Sequence, residues 1–534
     1  MQSNENTALP RIIIQYANQF ADLLSPMARN LRQRYGVDVV LVHRGAKSLP
    51  NPAIYDFDVN TFAEIVDLET VLQTRDVIDI GTSGQLAERV AMVEESTGID
   101  VLEILRSDRH LGHGFVVGAN YSRSRYMLAN SYDQAIDIVL RLADALDGVV
   151  AKNRPLAVVA APSNLIGMTL QQLAEGSDVP VRSLAYTLTG KNFYWAVDRY
   201  YRPGDLAKKY RSMYDHAAGM PAVEGSLPAK GGASPERFQI FRRSIPERTK
   251  YRALGQALYL CVRRKVGDIV KRRKLAYGGY LLRDQLREII AIWRIRRHFL
   301  KDMPLLPKLP EDLPFVFFPL AVEPEATLMA EAPMADNQLA CIDWLVKTVP
   351  AGWRVIVKEH PGLTTPRPAG FWNQLRGYPN LLVAAALESG EVLAQRARAL
   401  AVINGSLGTQ AAITGTPVLT FHPHFPAALL PHVFHVDSYA QVKDALRRIK
   451  NGEVPPIEER RRHGQALLAA LSLGSVPVRD ANLLVGVSGG GKIRRDDVHV
   501  LSTSLIDSLG APTTGLLSSL SETDAILTQE TGTI

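Results

Sequence analysis

The sequence has little cysteine and no long apolar run. Only Cys261 and Cys341 occur among 534 residues, too few for a disulfide framework and typical of a reducing compartment. No segment of about 18 or more uncharged apolar residues is present, so a membrane-spanning helix is not expected. The first ten residues are polar and lack the apolar core of a secretory signal. We therefore expect a cytoplasmic protein, with attachment to a membrane surface left open.

Charge is unevenly distributed along the chain. The net charge is +7, from 61 Lys and Arg against 54 Asp and Glu. Between Arg237 and Lys301 there are 19 basic and 4 acidic residues, a net charge of +15, so the rest of the chain carries −8. Hydrophobic residues make up 46%, which excludes a wholly disordered chain. At about 100–200 residues per domain, the length indicates two or three domains.

Apolar segments alternate with helical patterns on both sides of the basic segment. This alternation predicts an α/β fold with parallel sheets. Strands are predicted at Arg11–Tyr16, Val37–Val42, Leu156–Ala161, Phe315–Phe318, Arg354–Lys358, Leu381–Ala384, Leu400–Ile403 and Pro417–Phe421. The predicted divisions are an N-terminal Rossmann-like domain at 1–235, a basic helical insert with a linker at 236–310, a C-terminal Rossmann-like domain at 311–473, and a flexible Gly- and Ser-rich tail at 474–534.

The predicted strand Arg354–Lys358 is followed by Glu359-His360-Pro361. Open α/β sheets bind ligands at the carboxyl ends of their strands. At that position His360 could donate a hydrogen bond to a phosphate or ribose oxygen, and Pro361 would rigidify the turn. The simpler interpretation is a surface histidine before a turn.

A second motif, Asn404-Gly-Ser-Leu-Gly-Thr-Gln410, lies between a predicted strand and a helix. Its two glycines would let backbone N–H groups approach an anion, and its serine and threonine would add hydroxyl donors. The start of the following helix would add unpaired N–H groups and its dipole. The alternative is a Ser or Thr cap after a tight turn. Together the two motifs favour a site for nucleotide phosphates.

Four motifs of the second half occur together in one known family. They are Phe318-Pro-Leu with Glu323-Pro-Glu325, Lys358-Glu-His-Pro361, Asn404-Gly-Ser with Gly408-Thr-Gln-Ala411, and Gly415-Thr-Pro-Val418. This combination resembles the capsule polysaccharide biosynthesis family of bacterial glycosyltransferases. That family includes Kdo transferases and is similar in plan to bacterial sialyltransferases, whose His-Pro and Ser-rich motifs hold a CMP donor. The resemblance covers roughly Glu311–Arg448, and the first half matches mainly through Leu105–Leu111.

The resemblance implies a GT-B-like fold, in which an N-terminal acceptor domain and a C-terminal nucleotide-sugar-binding domain face a cleft. It implies these donor-binding residues: Lys358, His360, Pro361, Asn404, Gly405, Ser406, Gly408, Thr409 and Gln410. Many relatives have Glu where Gln410 stands, and an amide cannot accept a proton as a carboxylate does. This departure questions the activity or the donor preference. No cofactor and no metal site are expected, since no helix-spaced histidine pair with a carboxylate occurs.

Catalytic groups are expected mainly in the first half. Glycosyl transfer needs a carboxylate near the anomeric carbon and positive charge for the departing phosphate. Asp108, between Arg106 and Arg109, is the first candidate for the carboxylate. The two arginines and His110 are candidate acceptor or phosphate ligands. The alternative is an Asp–Arg pair that fixes a loop. Glu325 is a further catalytic candidate and could equally cap the following helix.

The basic segment has three interpretations. A basic helix with an apolar face and a tryptophan, Trp293, suits the headgroup layer of an anionic membrane. The same charge would suit nucleic acid, but no nucleic-acid motif accompanies it, so a nucleic-acid partner is not expected. The third interpretation is a solvated helical hairpin packed on the core. We favour an anionic membrane surface bound through 237–301.

The sequence therefore predicts a glycosyltransferase that uses a nucleotide-sugar donor. In one interpretation this donor is a CMP-linked sugar. The expected acceptor is a bacterial surface polysaccharide or its lipid-linked precursor. The expected location is cytoplasmic, peripheral on the inner face of the bacterial inner membrane. The alternatives are a polyol-phosphate transferase, a sugar-nucleotide epimerase, and an inactive protein that binds or exports polysaccharide.

Overall fold

The computed structural model describes most of the chain. The described residues are 9–16, 21, 23–45, 48–52, 55–112, 131–187, 192–216, 247–270, 282–301, 312–323, 325, 327–360, 367, 370–385, 388–478 and 495–510. Pro361 and the linker at 302–311 lie outside these ranges.

A mainly parallel sheet forms the centre of the N-terminal domain. Its first six strands are β1 (Arg11–Gln15), β2 (Asp38–His43), β3 (Glu64–Asp67), β4 (Ala157–Val159), β5 (Val181–Tyr186) and β6 (Asn192–Ala196). The helices of this half are α1 (Leu24–Tyr35), α2 (Val77–Ile80), α3 (Ser83–Thr97), α4 (Val101–Ser107), α5 (Tyr132–Asn153), α6 (Leu165–Gly176) and α7 (Leu206–His216). The strand order β6-β5-β4-β1-β2-β3 reverses direction between β1 and β4, which makes that position a topological switch point.

The basic insert contains two helices, α8 (Tyr251–Val270) and α9 (Leu282–Lys301). They pack against each other, and the Sγ atom of Cys261 lies 2.6 Å from the Oε1 atom of Gln285. The predicted helical insert is thus confirmed. Across the described ranges, we find no helix with the length and apolar character needed to cross a membrane.

A six-stranded parallel sheet forms the centre of the C-terminal domain. Its strands are β7 (Phe315–Pro319), β8 (Arg354–Lys358), β9 (Leu381–Ala384), β10 (Ala399–Val402), β11 (Val418–Thr420) and β12 (Val433–His435). Its helices are α10 (Gln338–Thr348), α11 (Phe371–Arg376), α12 (Gly390–Arg396), α13 (Ser406–Ile413), α14 (Tyr439–Lys450) and α15 (Ile457–Leu473). The order β12-β11-β10-β7-β8-β9 places a switch point between β7 and β10. The predicted GT-B-like class of two Rossmann-like α/β domains is confirmed.

The chain passes from one domain to the other twice, once before and once after the strands of the C-terminal sheet. Before the insert, α7 packs along α15, and its Leu206 and Tyr210 belong to the core of the C-terminal domain. After α15, the chain returns, and β13 (Val476–Pro477) pairs antiparallel with β6. The C-terminal domain therefore contains α7, which was predicted to belong to the N-terminal domain, and the N-terminal sheet contains β13, which was predicted to belong to the tail.

The predicted flexible tail is corrected in one part. The helix α16 (Arg495–Ser508) packs on α1. Its Val498, Leu501 and Leu505 are buried in the same core as the strands β1 and β2. These apolar side chains stand at helical spacing, so α16 has a buried face in spite of the Gly- and Ser-rich sequence around it.

The segment Val101–Leu105 also differs from its strand-like appearance, because it forms α4. The side chain of Asp100 accepts a hydrogen bond from the Glu103 backbone N–H at 2.6 Å and so caps the first turn. This places the polar residues Arg106 to His110 at the end of a helix instead of at the end of a strand.

Candidate functional site

The N-terminus of α13 opens at the switch point of the C-terminal sheet, immediately after β10. Gly405 has φ +121° and ψ 165°, a conformation essentially restricted to glycine. No side chain caps α13 among the described residues. No atom of the described residues lies within 4 Å of the position that a Cβ at Gly405 would take. The start of α13 therefore combines N–H groups that lack a side-chain cap with an exposed glycine, an arrangement suited to binding an anion.

Gly408 has a different role from the one predicted. A Cβ there would lie 2.7 Å from the Cγ2 atom of Val402 and 3.1 Å from the ring of Phe425. Gly408 thus allows α13 to pack closely on the sheet, and it does not admit a ligand. Thr409 is also buried, so Ser406 is the accessible hydroxyl of the motif.

Asn404 is held by a residue that the sequence analysis missed. Its Nδ2 atom donates to the Glu331 carboxylate, and its Oδ1 atom accepts from the Gly405 N–H at 2.6 Å. Glu331 ends the π-helical turn Thr327–Glu331. The predicted candidate Glu325 lies just before this turn, and its carbonyl oxygen accepts from Leu328 N–H at 3.0 Å. Asn404 and Glu331 are 73 positions apart in the sequence, so no local pattern predicts their contact.

Lys358, Glu359 and His360 lie at the carboxyl end of β8, two strands from β10. Burial lowers the pKa of Lys358 to about 8, while nearby Glu359 opposes this shift. The side chain of His360 reaches solvent, yet desolvation by the surrounding protein lowers the pKa of its imidazole to about 4. At neutral pH the ring is neutral, so it offers hydrogen bonds and no charge.

A buried ion network fixes the loops that follow β7 and β8. The Nε atom of Arg367 donates to Glu359 at 2.8 Å, and its Nη1 atom lies 3.4 Å from Glu323. Gln338 also donates to Glu323. Glu359 in turn accepts from the His360 N–H at 2.7 Å. The position of His360 is therefore set by a network of almost fully buried charges.

Gln410 lies one turn along α13, away from the opening. It lines a small depression between α12 and α13 together with Glu391, Gln395 and Leu407. Because Gln410 lies away from the N-terminus of α13, the structure gives less support to the expectation that this residue decides activity.

Asp108 is buried at the switch point of the N-terminal sheet. Its Oδ1 atom accepts from His110 N–H at 2.7 Å and from Leu111 N–H at 3.0 Å, and its Oδ2 atom accepts from Leu165 N–H at 3.1 Å. Leu165 begins α6, so this carboxylate occupies the position an anion would take. Asp108 thus fixes the surrounding loop through backbone N–H groups, and among the described residues it does not form the predicted pair with an arginine; these contacts leave it little access to a substrate.

Arg106 and Arg109 are half-buried with His110 beside them at the end of α4. The helix α4 packs against the π-helical turn of the C-terminal domain, which brings Arg106 near Asp336. Burial raises the pKa of Asp336 to about 6; the Arg106 charge opposes the shift, and Glu323 adds to it. A half-buried carboxylate with this pKa, placed between the two domains, is a candidate proton acceptor.

Histidines follow β11 at the same edge of the C-terminal sheet. His422 is fully buried, and neither of its ring nitrogens has a hydrogen-bond partner among the described residues. Burial lowers its pKa to about 4, so the ring offers one donor and one acceptor at neutral pH. Tyr200 of the N-terminal domain covers this corner, with its ring centroid 4.1 Å from that of His424. In the described part of the chain, no group of three or more His, Cys, Asp or Glu side chains could hold a metal ion.

A groove lies at the opposite edge of the C-terminal sheet. It is lined by residues that precede the strands, among them Pro314, Trp353 and Pro417. Ligands of open α/β sheets bind at the carboxyl ends, so this groove is separate from the candidate site.

Solved structures resembling the chain include sugar-nucleotide enzymes. The UDP-GlcNAc 2-epimerase of Methanocaldococcus jannaschii, in complex with UDP-GlcNAc and UDP, is 14% identical; the match covers 85% of this chain and 97% of that chain, with a TM-score of 0.26. The KpsC β-Kdo 2,7-transferase of Thermosulfurimonas dismutans is 12% identical over 67% of this chain and 89% of that chain, with a TM-score of 0.31. The UDP-GlcNAc 2-epimerase of Neisseria meningitidis, bound to UDP-GlcNAc, is 10% identical over 93% and 99%, with a TM-score of 0.27. No protein-family model and no curated protein sequence matches the chain.

Proposed function

We propose that the protein is a glycosyltransferase that binds a nucleotide-sugar donor on its C-terminal domain. The observation that carries the proposal is the uncapped N-terminus of α13, opening at the switch point beside Asn404 and Glu331. Ser406 and the first N–H groups of α13 bind the donor phosphates, and neutral His360 donates a further hydrogen bond. The acceptor is a surface polysaccharide or its lipid-linked precursor.

Asp336 is the proposed proton acceptor for the attacking hydroxyl. Its raised pKa gives it basicity near neutral pH while keeping it ionised there. Arg106 stands close enough to interact with it across the domain boundary and would stabilise developing negative charge. In this proposal Asp108 fixes the end of α4, which carries Arg106, and the turn after it, which carries His110.

Replacing Gly405 by Ala should weaken binding of the preferred nucleotide about ten- to a hundredfold. The added Cβ meets no atom of the described residues, so the effect comes from backbone strain that turns the first N–H groups away. Losing one charge-assisted hydrogen bond corresponds to about 1.5–3 kcal/mol. Binding is measured by calorimetry against CMP, CDP, UDP and GDP, followed by the corresponding sugar nucleotides.

Gly352→Ala is the matched control. Gly352 also has positive φ, +87°, with open space around it, but it precedes β8 at the opposite edge of the sheet. Both variants should lose stability, and nucleotide affinity should fall for Gly405→Ala alone. Equal affinity in both variants, or a wild-type protein that binds no nucleotide or sugar nucleotide, would contradict the proposed site. Mass spectrometry of the products separates sugar transfer from epimerisation and from polyol-phosphate transfer.

A further inference from the structure

The outward face of α8 exposes an apolar stripe. Tyr259, Val262, Val266 and Ile269 recur at helical spacing, with exposed fractions of 62%, 41%, 52% and 68%. Such spacing places them in one row on the helix. Val270 extends the row at its end and is also exposed.

Trp293, the side chain expected to meet lipid, instead makes its contacts on the inward face of the hairpin. Trp293 of α9 donates its Nε1–H to the Thr249 carbonyl oxygen at 2.9 Å. Its ring also packs against Tyr251, with centroids 5.0 Å apart, and under the guanidinium of Arg297. Trp293 is therefore an internal contact of the hairpin, whereas the stripe on α8 has no covering contact among the described residues of the insert.

The helix α8 carries four basic residues and one acidic residue, Asp268. By their helical spacing Arg252 and Arg263 lie beside the stripe, and both are exposed; Arg264 is exposed on the other side of α8. The acidic residues of α9, Asp284 and Glu288, are buried, so they do not offset this charge at the surface. The sequence then continues directly into Lys271-Arg-Arg-Lys274.

We propose that the stripe Tyr259–Ile269 on α8 is a docking face for an anionic lipid bilayer. The apolar side chains enter the boundary between headgroups and acyl chains, and the flanking arginines remain among the phosphates. A second copy of the chain fits less well, because a two-fold contact would bring the arginines of both copies together. This inference is independent of the proposed donor site, since binding to vesicles needs no turnover.

The test is co-sedimentation of the full chain with vesicles of phosphatidylcholine alone or with about 30% phosphatidylglycerol. The wild-type protein should bind the anionic vesicles and should be released at high salt, since screening weakens the phosphate contacts. The double substitution Val262→Asp/Val266→Asp should lower the partition coefficient about tenfold or more. Met92→Asp, at an exposed apolar position of α3, is the matched control and should bind like the wild type.

Three outcomes would overturn the proposal. The first is no binding of the wild-type protein to anionic vesicles at low salt. The second is equal binding of the stripe variant and the Met92→Asp control. The third is a wild-type dimer that the stripe substitutions dissociate in analytical ultracentrifugation, which would assign the face to a second copy. Circular dichroism and the unfolding temperature of each variant establish that the fold is retained.

Discussion

Replacing Asp336 by Asn should reduce the turnover number by about a hundred- to ten-thousandfold, the usual contribution of general acid–base catalysis. The substitution keeps the shape of the side chain and removes its ability to accept a proton. Nucleotide affinity should be unchanged, because the proposed site for the donor phosphates is at α13. Turnover is measured as transfer or hydrolysis of the sugar nucleotide identified by the binding panel.

The pH dependence gives an independent readout of Asp336. Because the base must be ionised, the rate in the wild-type protein should fall about tenfold per pH unit below about pH 6. The Asn variant should lose this acidic limb. Asp343→Asn is the control, since Asp343 lies on α10 and pairs with Lys347 at 2.7 Å. A wild-type rate and pH profile in Asp336→Asn would exclude the assignment.

The Asp336→Asn substitution should lower turnover, but at neutral pH it should leave the stability of the protein unchanged or raise it. The folded state holds the Asp336 proton more tightly than the unfolded state, because burial raises the pKa from 3.8 to about 6. Its contribution to stability is therefore complete below about pH 4 and is lost as the pH rises through 6. Asn imitates the protonated form, so the variant should be as stable as the wild type, or more so, at neutral pH.

Replacing Arg367 by Ala should destabilise the C-terminal domain by about 3–5 kcal/mol. The substitution leaves the carboxylates of Glu323 and Glu359 buried without their cationic partner. Chemical denaturation followed by tryptophan fluorescence suits this test, because Trp344, Trp353 and Trp372 all lie in that domain.

The exposed Arg447 provides the comparison for Arg367. It also pairs with two carboxylates, Asp444 and Glu453, each at 2.8 Å. Water and salt screen such surface pairs, so Arg447→Ala should have little effect. If both substitutions shift the denaturation midpoint equally, the buried network does not stabilise the loops after β7 and β8.

Local patterns were sufficient for most of the fold. The strand Arg354–Lys358 was predicted with the bounds that the structure has, because polar residues mark both of its ends. The end of α1 was also predictable, since Gly36 adopts the left-handed conformation that stops the helix. In contrast, the apolar residues of α4 fit a buried strand as well as a short helix, so the local pattern alone does not identify this helix.

The sequence predicts the candidate site only where its residues come from one continuous segment. The glycine and serine of Asn404–Ser406 carry a local signal, because a tight turn before a helix needs them. Glu331 and Arg367 act through partners distant in sequence, so nothing near them marks their role. Asp108 illustrates the reverse error: a polar residue among arginines suggested chemistry, whereas its three backbone contacts hold a loop.

The return of the chain to the N-terminal domain has a consequence for biosynthesis. The ribosome completes β6 about 300 residues before it adds α16, an interval of roughly 15–60 s at about 5–20 residues per second. Until then, the surface of α1 that receives Val498, Leu501 and Leu505 is uncovered. The C-terminal sheet emerges entirely within this interval. The N-terminal domain, although translated first, is thus the last to complete its core, and during that delay it is the part of the nascent chain most in need of chaperone protection.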